Sequence, residues 1–227
     1  MKLTYWGHSC FLIETGTHAL LIDPFLSGNP NAPVQPAQVR CDFILISHGH
    51  NDHFGDAIEI ARRVNATIIA NYEIATYCEN HGVRSHGMHI GGGHDFTFGR
   101  VKLTPALHGS ALETDAGFIY MGNPAGFLIM AGSKTIYHAG DTGLFGDMKL
   151  IGDRHSLEVA LLPIGDNYTM GIDDAVKAAE FLQPRVAIPM HYNTFDLIAC
   201  DPHEFVKKCA AIAAKAEVLE IGESFEF

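Results

Sequence analysis

The segment SHGHNDHFGD places His48, His50, Asp52 and His53 within six residues. The apolar run CDFILIS precedes it and DAIEIARRV follows it, so the four side chains fall in a strand-to-helix loop. His48 and His50 are two apart and project to the same side of an extended backbone. Asp52 and His53 stand at a helix start, where backbone N–H groups and the helix dipole favour a carboxylate. Imidazole and carboxylate groups are ligands for first-row divalent metals, and this density leaves room for two ions. The alternative, a polar turn whose histidines only cap a helix, requires all four ligand-type side chains to gather by accident. Two ions need more donors than one loop offers. His108 in KLTPALHGS, Asp141 in TIYHAGDTG and His191 in VAIPMHYN each follow a strand-like run. Asp141, between glycine and threonine, can bring its carboxylate close and bridge two cations.

Such loops need a frame, and an internal repeat supplies one. FLIETGTHALLID (Phe11 to Asp23) aligns with FLIMAGSKTIYHA (Phe127 to Ala139), and CDFILISHGH falls on LEVALLPIGD at the same offset of 116 residues. Each half predicts strand, tight turn, strand, then a buried strand ending in a polar loop. Apolar spacing of helical period predicts a helix over Asp56 to Val64 in the first half and Ile172 to Leu182 in the second. The β-rich runs ATIIANYE and RVAIPMHY follow these helices. A final helix is predicted over Pro202 to Ala216, with Asp201 as cap and Pro202 at its first position, and then a strand EVLEIG. Ser27 to Pro36 reads as a surface loop. Two mixed sheets packed face to face, with helices outside, accommodate the halves. The expected fold is α/β (α+β): an internally duplicated, four-layer αββα sandwich, one domain over residues 1–227, with its site at one edge of the sheets.

Composition narrows the partners. The 227 residues include 15 Lys+Arg against 26 Asp+Glu, a formal net charge of −11. Such a balance argues against binding nucleic acid or an anionic membrane through net charge. The five cysteines are odd in number and form no C-x-x-C pair, which predicts reduced core residues and no disulfide framework. The opening MKLTYWGHSCFLIETG has no continuous apolar stretch and no cleavage site, and no run of about 18 apolar residues occurs. The expected location is the cytoplasm and the expected partner a small-molecule substrate, with association into a homo-oligomer left open.

The ordered set H-x-H-x-D-H, His, Asp, His resembles that of the metallo-β-lactamase superfamily over essentially the whole chain, and the repeat fits its αββα sandwich. The opening YWGHSCFLIE and the tail IPMHYNTF resemble a branch of small metal-dependent hydrolases akin to L-ascorbate-6-phosphate lactonase and, more distantly, to N-acylphosphatidylethanolamine phospholipase D. The resemblance implies that His48, His50 and His108 bind one metal, that Asp52, His53 and His191 bind the other, and that Asp141 bridges. It implies two divalent ions, zinc first, with manganese, iron or nickel as alternatives. True β-lactamases of this fold generally carry cysteine where the pattern here calls for Asp141. The carboxylate version is similar to glyoxalase II, ribonuclease Z and the lactonases, so antibiotic hydrolysis is not expected.

The chemistry expected of such a centre is hydrolysis of a small ester, lactone or phosphodiester by a metal-bridging hydroxide, with Asp52 ligating and orienting the nucleophile. His8, after Trp6-Gly7, is read either as a satisfied turn residue or as a group lining the cleft without ligating, suited to general-acid work. Asp23 is read either as a turn residue before Pro24 or as a partner for the second nitrogen of a ligating imidazole. Tyr168, Tyr192 and Asn193 lie beside site loops, as substrate contacts or as rim. Ser47 and Ser110 read as structural, and His18, His81, His86, His89, His94, His155 and His203 as non-ligating. Three other readings compete: an iron-dependent oxidoreductase similar to a persulfide dioxygenase, a ribonuclease Z-like nuclease, and a non-catalytic scaffold.

Overall fold

The computed structural model describes residues 1–227. The first half contributes strands β1 (Lys2–Tyr5), β2 (Phe11–Glu14), β3 (Ala19–Ile22), β4 (Phe43–Leu45), β5 (Thr67–Asn71) and β6 (Ser85–Met88), with helices α1 (Asn51–Phe54), α2 (Ala57–Val64) and α3 (Tyr72–Asn80) between them. β7 (Gly93–Phe96) and β8 (Gly99–Pro105) lead to a separate hairpin, β9 (Ala111–Thr114) and β10 (Gly117–Tyr120). Then come β11 (Ala125–Ala131), β12 (Lys134–His138), α4 (Met148–Arg154), β13 (Val159–Pro163), α5 (Ile172–Leu182), β14 (Val186–Met190), α6 (Pro202–Ala211) and β15 (Ser224–Glu226). The first sheet runs β15-β1-β2-β3-β4-β5-β6, the second β14-β13-β12-β11-β8-β7.

The repeat survives as register. Phe11 pairs with Ile22 across β2 and β3, and Phe127 with His138 across β11 and β12, each residue displaced by the same 116 positions. Leu20 pairs with Phe43, and Ile136 with Val159, at that displacement too. In both halves an antiparallel pair is followed by two parallel steps. Alternation along the strands then sorts the side chains. Leu20 and Ile22 join the cluster between the sheets, with Phe127 and Ile129 facing them, whereas Leu21 turns outward to pack with Ile60 and Ala61 of α2 and Ile74 of α3. On the far side Ala175, Ala178 and Leu182 of α5 cover the second sheet. The result is the four-layer sandwich expected of the sequence.

Several boundaries differ from expectation. ATIIANYE stops being strand at Asn71, whose side chain accepts a hydrogen bond from the Ile74 amide at 2.9 Å and caps α3. The last helix ends at Ala211 and not at Ala216, and Ala213 beyond it takes a left-handed φ of 59°. EVLEIG forms no strand; its neighbour Ala216 makes an isolated bridge with Ala187, and the edge strand on β1 is β15 instead. All five cysteines are free, four of them buried. No helix is long and apolar enough to cross a membrane.

Candidate metal centre

The ends of β1, β3, β4, β8, β12 and β14 deliver the site residues to one edge of the sandwich. The turn after β4 is tight. A Cβ at Gly49 would run into the Met121 side chain, so glycine lets His48 and His50 flank a backbone pressed against the chain entering β11. Ser110 pins that contact: its hydroxyl accepts from the Gly49 amide at 3.1 Å and donates to the Met121 carbonyl at 3.1 Å. His48 Nε2 lies 3.0 Å from His50 Nδ1, and His108 Nε2 lies 3.2 Å from the same atom. Burial holds all three imidazoles below the ordinary histidine pKa, so at neutral pH they present lone pairs to one another. Three convergent neutral nitrogens fit a cation better than they fit each other.

A second group gathers His53, His191, Asp52 and His8, with one donor atom from each lying within 4.8 Å of the others. Asp141 stands between the groups. Its Oδ2 is 3.2 Å from His53 Nε2 and 3.0 Å from His191 Nε2 on one side, and 3.6 Å from His108 Nε2 and 4.0 Å from His48 Nε2 on the other. Its Oδ1 is buried without a hydrogen-bond partner. Burial would raise the Asp141 carboxyl pKa, but His191 and His53 outweigh it and hold the group ionised. Likewise burial opposes charge on His53, and the carboxylates of Asp141 and Asp23 outweigh that, leaving a place that calls for positive charge. The structure therefore brings together His48, His50, Asp52, His53, His108, Asp141 and His191, and the donor set fits two divalent cations.

Behind the donors, Asp23 settles the choice left open at its position. It is fully buried at a φ of 44°, and its Oδ2 accepts from His53 Nδ1 at 2.8 Å and from the Ser47 hydroxyl at 2.6 Å, while Oδ1 accepts from the Ser47 amide at 2.8 Å. The Ser47 oxygen in turn accepts from His48 Nδ1 at 3.0 Å. These bonds place protons on the Nδ1 atoms of His53 and His48 and turn both Nε2 atoms into the site, where a cation would take the place of the proton that His53 otherwise holds toward Asp141.

His8 sits deeper among the donors than its sequence position suggests. The left-handed φ values of Gly7 and His8, 90° and 55°, swing the imidazole inward. Its Nδ1 accepts from the Thr194 hydroxyl at 3.0 Å, and its Nε2 donates to Asp52 Oδ2 at 3.1 Å. Burial pushes its pKa down to about 4, so the ring is neutral at physiological pH and offers a hydrogen bond to Asp52 instead of an imidazolium proton. Burial would raise Asp52, but the bond from His8 and the nearby His53 outweigh it and keep the carboxylate ionised. Of the rim candidates, Tyr192 and Asn193 join His8 and Thr194 around a cavity of about 180 Å³, Asn193 accepts from the Cys200 amide at 2.8 Å, and Tyr168 is exposed.

Two contributors escaped the sequence reading. His138 is fully buried, donating from Nε2 to the Ser9 carbonyl at 3.2 Å and accepting at Nδ1 from the Gly140 amide at 3.1 Å, which fixes the turn carrying Asp141. Asn51, between His50 and Asp52, exchanges two side-chain hydrogen bonds with the Glu113 backbone, of 3.1 and 3.2 Å, and ties the metal loop to the β9–β10 hairpin. Its place inside the dense ligand motif was the available signal.

Comparison with known proteins agrees with this geometry. The family model described as beta-lactamase superfamily domain matches residues 2–191. A UPF0173 metal-dependent hydrolase of Pelotomaculum thermopropionicum is 54% identical over 228 residues, covering 100% of both chains. Igni18, a metallo hydrolase of the hyperthermophilic archaeon Ignicoccus hospitalis, superposes with a TM-score of 0.90 at 41% identity, covering 100% of this chain and 98% of that one. An isothiocyanate hydrolase from Delia radicum gut bacteria shares the fold at 20% identity and a TM-score of 0.78, covering 100% of this chain and 99% of its own. The chain belongs to the metallo-β-lactamase superfamily, in the family of the UPF0173 metal-dependent hydrolases.

Proposed function

We propose that this protein is a dinuclear metal-dependent hydrolase of small ester, lactone or phosphodiester substrates, with zinc as its metal. The observation that carries the reading is Asp141 Oδ2, held between two imidazole groups at 3.0–4.0 Å from four ring nitrogens. His48, His50 and His108 would hold one ion, and Asp52, His53 and His191 the other. Ions bound there supply Lewis-acid polarisation of the substrate and a water acidic enough to ionise near neutrality.

The protein's own groups do the rest. The Asp52 carboxylate, ionised and partly open to solvent, orients the attacking water by accepting a hydrogen bond from it. His8 fixes that carboxylate through its Nε2–H. Asp23 and Ser47 lock the tautomers of His53 and His48. The reading includes a single domain, a cytoplasmic location and a small-molecule partner.

The test is metal analysis of purified protein beside a panel of esters, lactones, thioesters, phosphodiesters and cyclic nucleotides, with oxygen uptake followed in parallel. About two metal equivalents and hydrolysis without oxygen consumption are expected. A mononuclear iron content, or turnover that consumes oxygen, would replace hydrolysis with the oxidoreductase reading.

A further inference from the structure

A cavity of about 350 Å³ opens directly beside His50 and Asp52, walled by Phe25, Phe118, Phe195 and Ala111. That volume is at the small end for a ligand pocket. Its aromatic walls come from three separate places: the loop after β3, strand β10 and the loop after β14. Phe25 and Phe195 lie 6.2 Å apart, and each meets the His8 ring edge-on, at 5.5 and 5.6 Å, so the apolar wall continues to the donors themselves. Gly28 backs the Phe25 ring, where a Cβ would collide with it. Phe118 is 75% exposed on a strand that belongs to neither main sheet, and with Phe25, Phe195 and Ala111 it gives the cavity a contiguous apolar lining. Asn51 holds that strand pair against the metal loop.

Charge decides what the cavity excludes. No lysine or arginine lines it, and its ionisable walls besides His50 are the carboxylates Asp52 and Glu113. With Asp52 committed to an ion, Glu113 repels a phosphate or carboxylate seated against the aromatic walls, and no cationic side chain is there to receive it. A neutral ring-sized group would lose water from both surfaces.

We propose that this cavity is the substrate pocket, and that it selects uncharged esters or lactones whose carbonyl carries a ring-sized apolar group. The proposal rests on the hydrolase reading for its chemistry, but the pocket can be probed without turnover. Three methyl esters serve on metal-reconstituted protein, followed by proton release: methyl phenylacetate, methyl propionate and monomethyl succinate. We expect kcat/KM for the phenylacetate to exceed that for the propionate by at least 10-fold, with the succinate last. Phe118→Ala and Phe195→Ala, both at partly exposed positions outside the core, should each erase most of that preference. Calorimetry with phenylacetamide, an uncharged analogue, reads binding alone, and Phe118→Ala should weaken it about 10-fold. Succinate turned over as well as phenylacetate, or phenylacetamide binding indifferent to both substitutions, overturns the pocket. Binding that depends on Phe118, with none of the esters hydrolysed, supports the pocket and overturns the ester chemistry assigned to it.

Discussion

Asp23→Asn isolates the outer support of the site from its donors. The substitution keeps size, and asparagine tolerates the left-handed φ of 44° at this position as readily as aspartate. What changes is the count of acceptors. Asp23 receives three donors, the Ser47 amide, the Ser47 hydroxyl and His53 Nδ1–H, on two oxygens. Asparagine has one oxygen and no charge. Turned one way, it still accepts from His53 Nδ1–H, as a weaker neutral partner, while its N–H groups face the Ser47 amide. Turned the other way, they face His53 and the Ser47 hydroxyl together. In that second orientation His53 escapes the clash by moving its proton to Nε2, where it covers the lone pair meant for a cation. Loss of an imidazole's outer partner typically costs 10–100-fold in metal affinity, about 1.4–2.7 kcal/mol. A buried donor left unpaired costs about 1–3 kcal/mol in stability, which in a chain of this size lowers the melting temperature by roughly 2–12 °C. Competition with a chelator of known zinc affinity measures the first effect, and a melt of the metal-free protein the second. Zinc affinity within twofold of the parent would show that Asp23 is only a turn residue.

Asp141→Ala removes the one carboxylate shared by both donor groups; elemental analysis should show at least one metal equivalent lost and turnover nearly abolished, whereas full occupancy with activity retained would reduce Asp141 to a turn residue. His8→Ala should keep both equivalents while turnover falls roughly 10–100-fold, as expected of a group that positions a ligand; loss of an equivalent would make His8 a donor in its own right. Asn51→Ala cuts both ties to Glu113, so amide exchange over β9 and β10 should accelerate with the melting temperature nearly unchanged, and unaltered exchange would deny it that role. Stripping the metals should lower the melting temperature in proportion to the logarithm of free metal, about 4.1 kcal/mol of stabilisation being regained at 1,000 times the dissociation constant.

Much of the fold was legible because a repeat carries register as well as propensity. The 116-residue displacement anticipated which strands pair, and the structure keeps it residue for residue through β3 and β12. The helix over Ile172 to Leu182 appears with those bounds, since apolar spacing and a polar surround agree there. What was lost lies where tertiary pairing overrules local pattern. EVLEIG alternates like a strand, yet the edge of β1 is taken by Ser224–Glu226. The dense ligand loop was plain in the sequence, as were His108, Asp141 and His191 at strand ends. The depth of His8 was not, because it depends on a left-handed backbone and on Thr194, a partner 186 positions away. Nor did the sequence reveal the buried environment that lowers the pKa of His8 to about 4.

The donor groups draw on both sheets, and this has a consequence for how the protein persists in a cell. His53, His48 and His50 follow strands of the first sheet, while Asp141 and His191 follow strands of the second. A bound ion is therefore a rivet through the sandwich, and the one that His191 would help to hold can close only after the chain has been made that far. Newly synthesised protein short of metal holds the two halves together by the apolar interlayer and a few hydrogen bonds, such as those from His138 to the Ser9 carbonyl and from the His191 amide to the His8 carbonyl, with buried carboxylates and imidazoles facing one another at the rim. Differences of one or two kcal/mol change steady-state abundance several-fold through proteolysis. The amount of this protein should thus follow metal supply even at constant synthesis, with the unriveted copies degraded first.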